Sequence, residues 1–373
     1  MSTLVQGNRT RLLFLLRYLA MIGLALVVFA LLLLLFGKDP LRAYIDILSS
    51  TLGSSYGITE VVVKMIPLVL CACAVMLPAR IGLVNVGGEG QLYMGAWLAT
   101  WGALTFSQLP QALGIPLVIL LGFIGGGLWA LIPAILRAKG WLNEVISTLL
   151  LNYIAILFVG YFVFGPWRDT ASANFPQTPK FVDAMRLPQF GDTRIHLGLF
   201  LAIAAVVLIY LVLRYTVWGY DMRAIGGNAE ASRRNGLPIT KTMLMVMFIG
   251  GGLAGLAGVG EVMAIEGRLR PNFSPGYGYI GFLISWLAGH NPVGVVMMSF
   301  LMAVLTFGGD TLQITQGMPF ATVNIIIALI LFYCTGQVLS AESEAVSYGY
   351  VLCHRGARRR IAGGHCRTLR RPG

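Results

Sequence analysis

The side chains able to do chemistry are few, and they gather in the stretch Arg80-Ile-Gly-Leu-Val-Asn-Val-Gly-Gly-Glu-Gly-Gln-Leu-Tyr-Met-Gly-Ala-Trp97. Asn85, Glu89 and Gln91 supply two amides and a carboxylate, with Gly87, Gly88 and Gly90 between them, in surroundings that are strongly apolar. A carboxylate at the centre of a membrane helix costs about 2.5–3.5 kcal/mol on insertion scales, and each glycine gives up about 1 kcal/mol of helix propensity. A sequence that accepts both in one place uses the site. Unwound backbone at membrane depth is tolerated where protein buries it or where it lines a watery cavity. Asn85, Glu89 and Gln91 are therefore expected to wall a solute pathway; a connecting loop and helix cap is the plainer alternative.

No other grouping offers catalysis. Glu60, Glu89, Glu144, Glu261, Glu266 and Asp310 lack histidines at ligand or triad spacing, so a membrane hydrolase is poorly supported and no catalytic residue is assigned. Gly276-Tyr-Gly-Tyr-Ile-Gly281 fits Gly-x-Gly-x-x-Gly but follows no strand of a βαβ unit, so a dinucleotide site is not expected. Cys71, Cys73 and Cys334 sit in apolar runs and read as small apolar residues. Cys353-His354 and His365-Cys366 have too little apolar material around them for a zinc site, and no metal is expected. Asn143-Glu144 reads as a helix start. Beyond it Ser147, Thr148, Asn152 and Tyr153 follow; Asn152 and Tyr153 are candidates for pathway lining, with interhelical hydrogen bonding the equal alternative.

The elements that must position these groups are membrane helices. Of 373 residues 57% are hydrophobic and 11% charged, against about 25% charged in a soluble domain, and the mean hydropathy is +0.78. The net charge of +12 lies at the ends of apolar runs rather than on one basic face, which speaks for membrane topology and against nucleic acid. Apolar runs long enough to span, or nearly so, fall near 17–36, 61–79, 82–106, 114–136, 144–166, 197–215, 241–264, 276–290, 292–310 and 319–337. That predicts an all-α polytopic protein of about ten transmembrane helices, with both termini cytoplasmic by the distribution of Lys and Arg. The basic start Arg9, Arg11, Arg17 leads into the first helix rather than a secretory signal.

Two interruptions suggest two related halves with broken helices at the centre: the segment at 82–95, and Pro271-Asn-Phe-Ser-Pro-Gly-Tyr-Gly-Tyr-Ile-Gly281. The transmembrane core is expected over 1–340, with an external cap at 167–196 and a disordered basic tail at 341–373. The glycines Gly250 to Gly260, with Gly251 and Gly255 at small-x-x-x-small spacing, predict close helix packing.

Between two crossings lies the cytoplasmic loop 216–240. Asn228 can cap a short helix over Ala229 to Asn235, with Glu230 in its first turn, Arg233 and Arg234 in its last, Gly236 as its left-handed end and Pro238 beyond. Its small residues, Ala229, Ala231 and Ser232, offer a low face for a partner's groove.

Gly226-Gly-Asn-Ala-Glu-Ala-Ser-Arg-Arg-Asn-Gly-Leu-Pro238 resembles the coupling segment of ABC importer permeases of the ribose, nucleoside and branched-chain amino-acid class. Asn85-Val-Gly-Gly-Glu-Gly-Gln91 and Asn143-Glu-Val-Ile-Ser-Thr-Leu-Leu-Leu-Asn-Tyr-Ile154 are similar to segments of its nucleoside and simple-sugar branch. The resemblance covers about residues 10 to 337 and fails in the tail. It implies a permease subunit in the bacterial plasma (inner) membrane that forms the pathway for a nucleoside or related sugar-containing solute. It also implies a second permease subunit, two cytoplasmic ABC ATPase subunits and an external substrate-binding protein, with Gly226, Asn228, Ala231 and Gly236 in ATPase coupling. No Gly-x-x-x-x-Gly-Lys-Ser/Thr segment is present, so ATP is expected on the partner subunits and no cofactor on this chain. The rivals are a permease for simple sugars or branched-chain amino acids and a stand-alone ion-coupled transporter using Glu89. The apparent scarcity of paired intramembrane charges argues against the last.

Overall fold

The computed structural model describes residues 23, 27–31, 33–172, 175–317 and 325. The expected crossing at 319–337 apart from Ile325, half of that at 17–36, the tail at 341–373 and the cysteines Cys334, Cys353 and Cys366 lie outside the described residues. The chain divides into two units, Phe36–Val323 and a second made of Met1–Leu35 with Asn324–Gly373. Of the second, the described residues include helical pieces at 27–31 and 33–35.

The first unit is built from helices α1 (Pro40–Leu52), α2 (Ser55–Ala79), α3 (Gly88–Thr105), α4 (Gln111–Ala138), α5 (Glu144–Phe164), α6 (Gly198–Tyr215), α7 (Val217–Gly227), α8 (Ala229–Arg234), α9 (Ile239–Gly260), α10 (Tyr277–Leu287) and α11 (Pro292–Gln316). Six helices among the described residues are long and apolar enough to cross a membrane: α2, α4, α5, α6, α9 with its continuation to Glu266, and α11. A helix apolar all round is either lipid-bathed or central, and burial separates the two. The apolar windows of α2 and α9 are 83% and 72% buried, against 28% for both α5 and α6. Hence α2 and α9 form the centre, α3 and α4 pack on α9, and α10 and α11 pack on α2.

Glycine brings the central helices together. A Cβ on Gly95 of α3 would fall on the backbone of Gly255 in α9, and one on Gly255 would meet the carbonyl of Gly122 in α4. Gly251, the other member of the expected small-residue pair, faces Gly126 and Ala130. Backbones at this spacing gain dispersion over long, flush surfaces, the usual means of helix association where lipid removes the hydrophobic drive.

The run expected to cross at 276–290 does not span by itself. Gly276 takes the left-handed conformation (φ 98°) and delays the helix start, leaving α10 with 11 residues, about 16 Å at 1.5 Å per residue against a hydrocarbon core of about 30 Å. The run expected at 82–106 becomes helical only from Gly88. Before it, residues 81–87 double back beside the last turns of α2, and the Asn85 amide donates to the carbonyl of Ala74 at 3.3 Å.

The segment expected as an external cap is irregular over its described residues, with a 3-10 turn at Asp183–Met185. It is fastened to the far end of α9: Phe181 N donates to Gly267 O at 3.0 Å, and Gln189 Nε2 to Ala264 O at 2.8 Å. His196 closes this segment, 1% exposed, its Nδ1 accepting from Gly198 N at 3.1 Å. Burial, then the neighbouring Arg194 charge, push the imidazole down to about 4 from its ordinary 6.5. The unfolded chain takes up that proton near 6.5, so between about 6.5 and 4 it binds more protons than the folded one. Stability is therefore lost as pH falls through this window, by about 3 kcal/mol at most. Thermal unfolding of the purified chain in detergent should show a midpoint that drops over this range, with a shallower drop in His196→Gln; identical slopes would refute the assignment.

Candidate functional site

The polar stretch folds into a buried knot in which each group satisfies another. Asn85 and Gln91 exchange amide hydrogen bonds, Nδ2 to Oε1 at 3.1 Å and Nε2 to Oδ1 at 3.0 Å. The same Asn85 oxygen accepts from Gly87 N at 3.0 Å, turning the chain into α3. From α5, Asn152 accepts from Gly90 N at 2.8 Å and donates to Val86 O at 3.0 Å, while Thr148 Oγ1 accepts from Val86 N at 3.3 Å. The unwound backbone at 85–87 and the open first turn of α3 thus find partners in side chains, as burial away from water requires.

Glu89 joins the two broken segments. In the first turn of α3 it is 2% exposed, and its Oε2 accepts from the backbone N of Gly278 at the start of α10, 2.7 Å away. The carboxylate so occupies the positive end of α10, where a helix N-terminus favours an anion. Gly278 permits this approach, because a Cβ there would collide with the backbone of Gly88 and Glu89.

Of the residues expected to act together, Asn85, Glu89, Gln91 and Asn152 converge on this knot. Tyr153 does not. It is 60% exposed, because successive residues of a helix point about 100° apart and Asn152 takes the inward face. Tyr93 and Phe273 pack with ring centres 4.6 Å apart and planes tilted by 45°, and Trp97 lies within about 6 Å of Phe158, Phe162 and Trp167. Those rings are engaged in packing. Asn143 caps α5 by accepting from Val145 N at 2.8 Å, and Glu144 in the first turn pairs with Arg137 at 3.0 Å.

At one end of the fold the expected short helix is present as α8. Asn228 Oδ1 accepts from Ala231 N at 2.9 Å, Glu230 pairs with Arg234 at 3.2 Å, and Gly236 turns left-handed with φ 80°. Ahead of it stands α7, which the sequence reading missed although Thr216 caps it with a 3.1 Å bond from Gly219 N. The end of α7 rests on the end of α2: a Cβ on Gly226 would meet the carbonyl of Arg80. The Arg80 guanidinium donates to the carbonyl of His290, in the turn between α10 and α11. One residue therefore touches the α7 end, the α10–α11 turn and the chain leading into the polar knot.

At the opposite end two ion pairs stand where few intramembrane pairs were expected: Lys64 with Asp310 at 2.8 Å and Arg194 with Glu60 at 3.0 Å. The available signal was Glu60 and Lys64 four residues apart on one helix face, yet each pairs with another element instead. One of these pairs, Lys64 with Asp310, joins two spanning helices and weakens the argument from scarce charge pairs against an ion-coupled transporter; the other draws on Arg194 of the external segment.

A family model described as branched-chain amino acid transport system / permease component matches residues 57–335. The glucose ABC transporter permease protein TsgB13 of Haloferax volcanii is 38% identical over 324 residues, covering 83% of this chain and 84% of its own. The guanosine ABC transporter permease protein NupP of Bacillus subtilis is 32% identical, with 83% and 90% covered. The nucleoside ABC transporter permease protein NupB of Lactococcus lactis is 31% identical, with 82% and 86% covered.

Proposed function

We propose, on the premise that the chain belongs to the branched-chain amino acid transport system permease component family, that it forms the pathway for a nucleoside or related sugar-containing solute. It is a multi-pass membrane protein and the permease subunit of an ATP-binding-cassette importer, not an enzyme, and that family works with ATPase and substrate-binding components. The substrate class is supported by three relatives that bear glucose, guanosine and nucleoside permease names. Our reading adds a second permease subunit, about ten crossings in two related halves, a plasma (inner) membrane with both termini cytoplasmic, and ATP held on the ATPase partners alone.

Asn85, Glu89, Gln91 and Asn152 act in this reading as a gate between two half-pathways, with Tyr153 facing the lipid or the second permease subunit. The observation that carries it is the 2.7 Å bond from Gly278 N to Glu89, which locks the starts of both broken segments in one contact. Closure of the ATPases moves α8 and α7 through Gly226, Asn228, Ala231 and Gly236. Arg80 passes that motion to the knot, and two arrangements of the knot give alternating access. Reconstitution in proteoliposomes tests the driving force: uptake of guanosine or glucose should require ATP and the ATPase partner. Uptake under a proton or sodium gradient without ATP would overturn the reading in favour of Glu89 as an ion-coupling acid.

A further inference from the structure

At the end of the fold away from α7 and α8, the helices part around a cavity of about 170 Å3 lined in part by Tyr56, Glu60, Lys64, Glu261, Tyr277 and Asp310. The two ion pairs above belong to its wall, together with the Phe307 ring, which meets Tyr56 edge-on with centres 6.4 Å apart. Glu261 differs from the other acids. It is 7% exposed, its oxygens open on the cavity, and no described residue forms a hydrogen bond or ion pair with its carboxylate. The helix is also distorted there: α9 widens into a π turn over Glu261–Glu266, a departure that recurs at functional sites.

A buried carboxylate without a partner needs a donor, and the cavity restricts which. A free anion is repelled by Glu261. A small cation is drawn to Glu261 but meets the Lys64 ammonium in the same space. Lys64 carries three donors and spends one on Asp310, so the wall offers an acceptor and a donor side by side. The group that answers both is a neutral pair of adjacent hydroxyls, with aromatic edges left for the carbons that bear them.

We propose that this cavity is a binding subsite for a vicinal diol of the transported solute, Glu261 accepting from one hydroxyl and Lys64 donating to its neighbour. The proposal rests on the importer reading given above, and its test separates the two. In proteoliposomes holding the assembled importer, Glu261→Gln should raise KM for ribose, glucose or guanosine about tenfold, the margin between a hydrogen bond to a charged acceptor and one to the neutral amide that replaces it. ATP hydrolysis and kcat should stay within about twofold of wild type, because a weakened ground-state contact acts on KM. An unchanged KM, or a lost kcat at unchanged KM, overturns the subsite.

A second measurement needs neither the binding protein nor that variant. Ile265 lies on the same cavity, and an Ile265→Cys chain in lipid should react with a methanethiosulfonate reagent more slowly in millimolar ribose or guanosine. With 2′,3′-dideoxyguanosine, which lacks the diol, the rate should not change. Protection by the diols with no uptake in proteoliposomes would defeat the importer reading and keep the subsite. Uptake with no protection by any diol would defeat the subsite alone.

Discussion

Gly255→Leu is expected to leave no folded permease. The Cβ alone would fall on the Gly122 carbonyl and press on Gly126 in α4, and these are backbone atoms that cannot rotate away. Overpacking a core with movable side chains costs about 1–3 kcal/mol; here two central helices must separate along their contact, so the loss lies at or beyond the upper end of that range. The matched control is Gly160→Leu in α5, where a Cβ meets nothing within 4 Å and the intrinsic gain in helix propensity is the same. Size-exclusion profiles of fluorescent fusions in mild detergent should show the monodisperse peak reduced more than about tenfold for Gly255→Leu and intact for Gly160→Leu, a margin that about 1.4 kcal/mol suffices to produce. Equal peaks would mean that α4 and α9 do not cross this closely.

The glycine contact was legible in the sequence because its rule is local: small residues four apart have few purposes on an apolar helix. The polar stretch was legible for a similar reason, since Asn85, Glu89 and Gln91 each breach the cost of burial in hydrocarbon. Their partners were not. Asn85 and Gln91 satisfy one another within the segment, but Glu89 is answered by Gly278 in a distant part of the chain, and periodicity carries no information about such a pair. Tyr153 was drawn in by standing next to Asn152, whereas helix geometry sends adjacent side chains to different faces. The six-residue helix α8 could be read from its capping signals; α7, with glycines at 219, 226 and 227, lacks a clean apolar stripe and was passed over. The π turn that presents Glu261 depends on how the segment around Arg186 and Gln189 ties down the end of α9, a tertiary condition with no local mark in the sequence.

Gly226→Val is expected to separate ATP hydrolysis from uptake. Gly226 lies at the surface near the end of α7, so a side chain there does not threaten the core, yet its Cβ would meet the Arg80 carbonyl. Relief requires α7 to lift from Arg80 and Ile81. Those residues hold the turn that carries Asn85 back to Ala74, with Leu83 N on Pro78 O at 3.2 Å, and Arg80 also holds the α10–α11 turn through His290. Lifting α7 therefore loosens a contact through which, on the coupling proposed above, motion at the ATPase end reaches both broken segments. Gly227→Val provides the comparison: Gly227 stands next in the same helix turn with open space around it, and the substitution brings the same gain in helix propensity. With both variants assembled at wild-type level, nucleotide hydrolysis should stay within about twofold in each, while uptake per ATP falls about tenfold or more for Gly226→Val alone. A tenfold fall corresponds to about 1.4 kcal/mol of coupling free energy, inside the range by which one site commonly biases another. Equal uptake in the two variants would show that α7 does not act through Arg80, and the coupling route would then have to run through α8 and the start of α9.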